Sequence, residues 1–135
     1  MKLLVDNNIS PAIAEAVDVL VNPDGHMVIS LREKFGRGDV ADTDWIAKLA
    51  QEGGLSVLSG DIKITKRRAE KEAWRASKLK GFFLAPAWAS YNNIERSWRL
   101  LRWWPKLVEA EALVGPGAIF QLPVNATSRL HQLNY

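Results

Sequence analysis

The sequence predicts a three-layer α/β/α sandwich on a mostly parallel five-stranded sheet, and three observations lead there. Short apolar runs alternate with stretches whose apolar residues repeat at helical spacing, the pattern of parallel strands joined by crossover helices. The first run, Leu3-Leu4-Val5, does not alternate apolar with polar, as expected of a strand buried on both faces. Both this strand and a later one stop on an aspartate, Asp6 and Asp61, at the carboxyl edge where open α/β sheets bind ligands.

Taken in order, Ser10 caps a first helix and Pro11, with its φ preset, opens it, while Ile13, Val17 and Leu20 mark its inner face. The turn cluster Asn22-Pro23-Asp24-Gly25 ends it, and Met27 to Leu31 reads as the second strand. A strand–helix–strand unit implies a right-handed crossover and parallel pairing. Glu33 to Val40, with two glycines and no periodicity, reads as a mobile loop. A second helix starts near Asp42 or Thr43, buries Ile46, Leu49 and Ala50, and stops at Gly53-Gly54. Leu55 to Ser59 is the third strand, ending in Ser59-Gly60-Asp61.

From Thr65 to about Lys78 the chain reads as a basic helix whose inner side is Ala69, Ala73 and Ala76. Gly81 to Pro86 is the fourth strand, and Asn92 or Asn93 caps a long helix with Ile94, Trp98 and Leu101 inward and Pro105 as a break or kink. Arg96, Arg99 and Arg102 share its outer face. Ala118 to Leu122 is a fifth strand whose Pro123 argues for a sheet edge, and the tail from Asn125 has no clear pattern. A strand order of 3-2-1-4-5 by position would make the first strand central, with the switch point beside it.

At 135 residues and 47% hydrophobic composition, one domain spanning 1–135 is expected. The chain has no cysteine, which excludes disulfides and thiolate metal sites and suits a reducing cytoplasm. No apolar run reaches the ~18 residues of a membrane span, and no charged-then-apolar leader opens the chain, so a soluble cytoplasmic protein without membrane contact is expected. The formal charge is only +3, but its distribution is uneven. Lys63, Lys66, Arg67 and Arg68 open a basic stretch, whereas Asp39, Asp42 and Asp44 crowd an acidic one. A basic face beside an acidic pocket suits a metal-dependent enzyme acting on a polyanion. The alternative is a solvated helix face.

The candidate chemical core is Asp6, the pair Asp42 and Asp44, and Asp61, brought from three segments to one edge. Converging carboxylates repel, and would be partly protonated unless a cation offset their charge. Oxygen-only ligands suit Mg2+ or Mn2+. Each acid also has an ordinary alternative role: Asp42 as a helix cap, Asp44 as a first-turn acid favoured by the helix dipole, Asp61 as the start of a turn, and Asp6 as a cap through Asn8 or a partner of nearby backbone groups. His26 and His131 fit no metal spacing. The tryptophans at 45, 74, 98, 103 and 104 read as helix packing groups, with Trp88 in a loop as the candidate for stacking on a base.

Leu4-Val5-Asp6-Asn7-Asn8-Ile9-Ser10-Pro11, Leu31-Arg32-Glu33-Lys34-Phe35-Gly36, Asp42-Thr43-Asp44-Trp45-Ile46 and Val57-Leu58-Ser59-Gly60-Asp61 together resemble the PIN-like ribonucleases, in particular the toxin halves of VapBC-type toxin–antitoxin pairs. The resemblance continues through Gly81 to Trp88 and Trp103-Trp104-Pro105. It implies a Mg2+- or Mn2+-dependent endoribonuclease, held inactive by a cognate antitoxin protein in its groove. Asp6 and Asp61 match the family's first acid and the acid after its third core strand, and Asp42 and Asp44 flank the middle one, with Asp44 favoured. Asn7 and Asn8 are supporting residues, and Lys63, Lys66, Arg67 and Arg68 are candidates to bind RNA. The chain departs from the family at Asn7, where Glu is common, and at Lys63, where a further acid is common, which weakens the case for a second metal. The runner-up reading is a catalytically weak or inactive RNA-binding or regulatory domain. A phosphoacceptor receiver ranks lower, because it needs a second acid beside Asp6 and a lysine after the fifth strand, where the chain has Pro123-Val124-Asn125. The oligomeric state stays open, a homodimer included.

Overall fold

The computed structural model describes residues 1–135. The strands are β1 (Lys2–Val5), β2 (Met27–Ser30), β3 (Leu55–Ser59), β4 (Lys80–Leu84), β5 (Ile119–Leu122) and β6 (His131–Leu133). The helices are α1 (Pro11–Val21), α2 (Leu31–Phe35), α3 (Asp42–Glu52), α4 (Arg68–Ser77) and α5 (Asn93–Leu113). They form one sheet ordered β2-β1-β3-β4-β5-β6, parallel throughout except for the antiparallel β5–β6 pair. The α/β/α fold is as expected, but the sheet has six strands rather than five, the expected order 3-2-1-4-5 gives way to one that starts β2-β1-β3, and β3 and β4 rather than β1 are central. Strand order reverses between β1 and β3, so Asp6 and Asp61 follow adjacent strands on either side of the switch point.

The sixth strand was not legible because His131 and Gln132 are exposed and Leu133 only half-buried, so no apolar pattern marks it. It covers β5, and Pro123 therefore sits just past a paired strand instead of on a free edge. Pro's missing donor is accommodated by the strand's end.

Strand alternation divides the interior into two layers. Leu3, Val5, Leu58, Phe82 and Phe120 pack with α1 and α5, while Leu4, Val57, Phe83 and Ile119 pack with α3 and α4. Each such side chain, buried on either face, contributes roughly 1.5–3 kcal/mol relative to exposure. Ser10 caps α1 by accepting from Ala12 N at 3.3 Å, and Pro11 opens that helix, both as expected.

Several inner faces differ from expectation. Leu20 is exposed and Val21 takes its place in the core of α1. Leu31, expected to end the second strand, opens α2, which takes in Glu33 to Phe35 of the expected loop and is capped by the Ser30 hydroxyl accepting from Glu33 N at 3.1 Å. In α4, Ala69 and Ala76 face solvent, and the buried residue is Trp74. Its indole lies over Gly81, where an added Cβ would stand 2.6 Å from Trp74 Cζ2. A basic helix thus docks through one large side chain on a strand position that only glycine leaves open.

In α5 the buried stripe is Leu100, Trp103, Trp104 and Leu107, spaced at i, i+3, i+4 and i+7. Ile94 and Trp98, expected inside, are exposed, because α5 carries apolar residues on two faces and packing against α1 selects one. The helix continues past Pro105. Trp88 is 1% exposed and donates its indole N–H to Leu122 O at 2.9 Å, so it is a core residue and no platform for a base.

Candidate active site

Asp6 is buried at the end of β1, where its backbone N–H still donates to Leu58 O at 2.9 Å. Its carboxylate accepts from the Asn7 N–H at 2.7 Å and from the Ser59 hydroxyl at 2.8 Å. Burial raises its pKa above 3.8; the two hydrogen bonds pull it down, and the nearby Asp42 and Asp61 carboxylates push it up.

A small network locks the two strand ends together. Ser59 Oγ accepts from Asp61 N at 3.0 Å and from Asn8 Nδ2 at 3.4 Å, and Asn8 Oδ1 accepts from Gly60 N at 2.9 Å. The Asn7 side chain donates to Gly38 O and anchors the loop before α3. Asp61 accepts from Lys63 N at 3.0 Å, capping the short turn Ile62–Thr65. Asp42, the first residue of α3, does not cap it: Oδ1 accepts from the Trp45 indole N–H at 2.9 Å.

Arg67 is the cation among these acids. One terminal nitrogen is 3.2 Å from Asp61 Oδ2, and the other is 3.8 Å from Asp42 Oδ2 and 3.4 Å from Glu70 Oε1. Asp61 above all raises the pKa of Arg67. The sequence places Arg67 among the RNA-binding candidates, whereas in the fold it pairs with acids, and Asp6 takes Ser59 as a partner from outside the sequence candidates. The serine that closes an apolar strand directly before Gly60-Asp61 is the available signal.

Asp42 and Asp61 therefore both act on Asp6, and Asp44 stands apart. Asp44 is exposed on α3 and lines a cleft of about 490 Å3 with Phe35, Arg37, Asp39 and Lys48. Lys63, Lys66 and Arg68 are exposed, and Arg68 pairs with Glu72 at 3.2 Å. For a metal, the all-oxygen donor set fits a hard cation. Its spacing is not that of a preformed site, since no three His, Cys, Asp or Glu side chains group closely enough to hold an ion. The Arg67 guanidinium bridges Asp42 and Asp61 instead.

A parallel-centred α/β/α sandwich with acids on both sides of its switch point is consistent with the PIN-like, nuclease-type fold. Residues 1–86 match the family model described as PIN like domain, and the chain belongs to that family. No curated protein and no solved structure matches the chain. The family match ends at Pro86, so α5, β5 and β6 lie beyond it. No helix is long and apolar enough to cross a membrane.

Proposed function

We propose that this PIN-like chain is a Mg2+- or Mn2+-dependent endoribonuclease acting in the cytoplasm as the toxin of a toxin–antitoxin pair. The observation that carries this reading is that three segments bring acids to one sheet edge: Asp6 is buried at the end of β1, with its pKa raised by burial first and by Asp42 and Asp61 in addition, and the Arg67 guanidinium spans Asp42 and Asp61. Such an arrangement is costly to a fold and is characteristic of functional sites. We assign the middle position to Asp42 in place of Asp44, which faces the neighbouring cleft.

Asp6, Asp42 and Asp61 would hold a divalent ion, which would supply charge neutralisation at the phosphate and a lowered pKa for a water nucleophile. The chain's own residues set the stage for that chemistry. Ser59 and the Asn7 amide hold the Asp6 carboxylate in one orientation, and Asn8 ties the Gly60 turn to the β1 turn. Lys63 and Lys66, exposed beside Asp61, attract the RNA backbone. A cognate antitoxin would block the same edge.

Cleavage of a single-stranded RNA by the purified protein, with Mn2+ and with chelator, tests the proposal. Asp6→Asn, Asp42→Asn and Asp61→Asn should each reduce the rate by more than the roughly 10- to 100-fold that loss of a metal ligand's outer support produces. Asp44→Asn should retain most activity. Cleavage that persists in chelator, or equal mild losses in all four, would overturn the assignment. Arg67 neutralising two acids favours one second reading, an RNA-binding regulatory domain with weak chemistry. Metal-independent RNA binding without cleavage is its expected result.

A further inference from the structure

Six tryptophans occur in the chain, and Trp45, Trp74, Trp88, Trp103 and Trp104 are buried. Trp98 alone is exposed, at 44%, halfway along α5. It is nevertheless held in place. The Arg99 guanidinium lies 4.5 Å from the Trp98 ring centroid and 4.4 Å from that of Tyr91, and it also bonds Glu95 at 3.3 Å and Asn125 at 3.1 Å. One face of an indole is thereby fixed on a rigid helix.

Beside it, a groove of about 270 Å3 runs between α5 and residues 124–127. Trp98, Arg99, Arg102, Asn125 and Thr127 line it, and no carboxylate does. Arg102 is exposed, Lys106 donates to Ala126 O at the groove's end, and the nearby Glu95 is already paired with Arg99. One turn toward the acids, Arg96 lines a second cleft of about 240 Å3 with Asn8, Gly60 and Trp88. Arginines at 96, 99 and 102 therefore run along α5 from the edge of the candidate active site to the Trp98 groove.

We infer that this groove binds single-stranded RNA, with a base stacked on Trp98, a flanking phosphate on Arg102, and the strand leading toward the cleft that Arg96 lines. A positive groove with a fixed aromatic at its wall is how proteins hold unpaired strands regardless of sequence. A protein partner's apolar helix is disfavoured by the arginines that line the groove, and a second copy of this chain would bring a like-charged surface against it. The groove lies wholly beyond the family match, so it is a feature of this chain's own C-terminal part. The inference rests on the RNA-directed reading above but not on catalysis.

Binding of a labelled single-stranded RNA by the intact protein in chelator, followed by fluorescence anisotropy across a salt series, separates the two. Trp98→Ala should weaken binding by roughly 5- to 100-fold, the range of one base–aromatic stack, with sedimentation and melting unchanged. Arg102→Glu should lower the slope of log affinity against log salt by about 0.7, the counterion contribution of one phosphate on a single strand. If the wild type binds RNA and Lys63→Glu weakens it while Trp98→Ala and Arg102→Glu do not, the groove is not an RNA site, although the nuclease reading survives. Loss of cleavage activity in the wild type with the Trp98 effect intact leaves the groove standing and removes the nuclease. A shift from dimer to monomer on Trp98→Ala, without change in RNA affinity, would make the face a self-association surface and overturn the inference.

Discussion

Asp6 links burial, charge and chemistry in one side chain. Its pKa is raised because burial outweighs the hydrogen bonds from Ser59 and Asn7. Between 3.8, the ordinary value, and the raised folded-state value, the native protein binds more protons than the unfolded chain, so stability falls as pH rises through that window and stays lowered above it. Asp6→Asn removes the buried charge with little change of shape. The substitution should make the protein more stable than wild type near neutral pH, and the advantage should shrink as pH falls toward 3.8. Urea melts at the two pH values measure this. A D6N protein that is weaker at both would show that the carboxylate's hydrogen bonds dominate. Asp61 should behave differently, because its carboxylate caps a turn and bonds Arg67, so Asp61→Asn should destabilise the fold even though it relieves repulsion at Asp6.

At the level of elements, α4 reaches the sheet chiefly through Trp74. The indole meets Phe83 edge-on at 5.5 Å and Trp45 of α3 at 6.5 Å, filling the space that Gly81 leaves. Gly81→Ala puts a methyl 2.6 Å from an indole carbon that is itself fully packed. Overpacking of this kind costs about 1–3 kcal/mol, read as a lowered denaturation midpoint with unchanged slope. Because α4 follows directly from the turn that holds Arg67, the same substitution should also reduce RNA cleavage if the helix shifts. The basic surface of α4 was legible from its charges, but its inner face was not. Alanines at helical spacing satisfy the periodicity as well as a lone tryptophan does, and only the glycine on β4 decides between them. The same ambiguity moved the inner stripe of α5 from Ile94 and Trp98 to Leu100, Trp103, Trp104 and Leu107.

For the whole molecule, the proposed cation site at Asp6, Asp42 and Asp61 would couple folding to cation binding. An ion that binds the native state and not the unfolded chain stabilises it by about 2.7 kcal/mol at 100 times its dissociation constant. For a chain of this length that is a melting rise on the order of 10 °C. Mn2+ and Mg2+ should both produce it. Arg67→Ala sets the sign of the competition: without the guanidinium, Asp42 and Asp61 lose their internal counter-ion, so the metal-free protein should melt lower and the increment from Mn2+ should grow. Indifference of wild type and R67A alike to millimolar Mn2+ would rule out a divalent site at these acids.

The alternation of apolar runs with helical periodicity determined the α/β/α class, and the aspartates closing the first and third strands located the candidate site, because both signals are local and are written in consecutive residues. The three-dimensional fold decided what depends on distant partners. It set β1 beside β3, paired β6 with β5, turned Trp98 outward and Trp88 inward, brought Asp42 toward Asp61 while leaving Asp44 on another cleft, and set Arg67 between two carboxylates. Strand order, helix rotation and the choice of an ion-pair partner each depend on side chains far apart in the chain, and packing settles which of several equally periodic arrangements fills the interior.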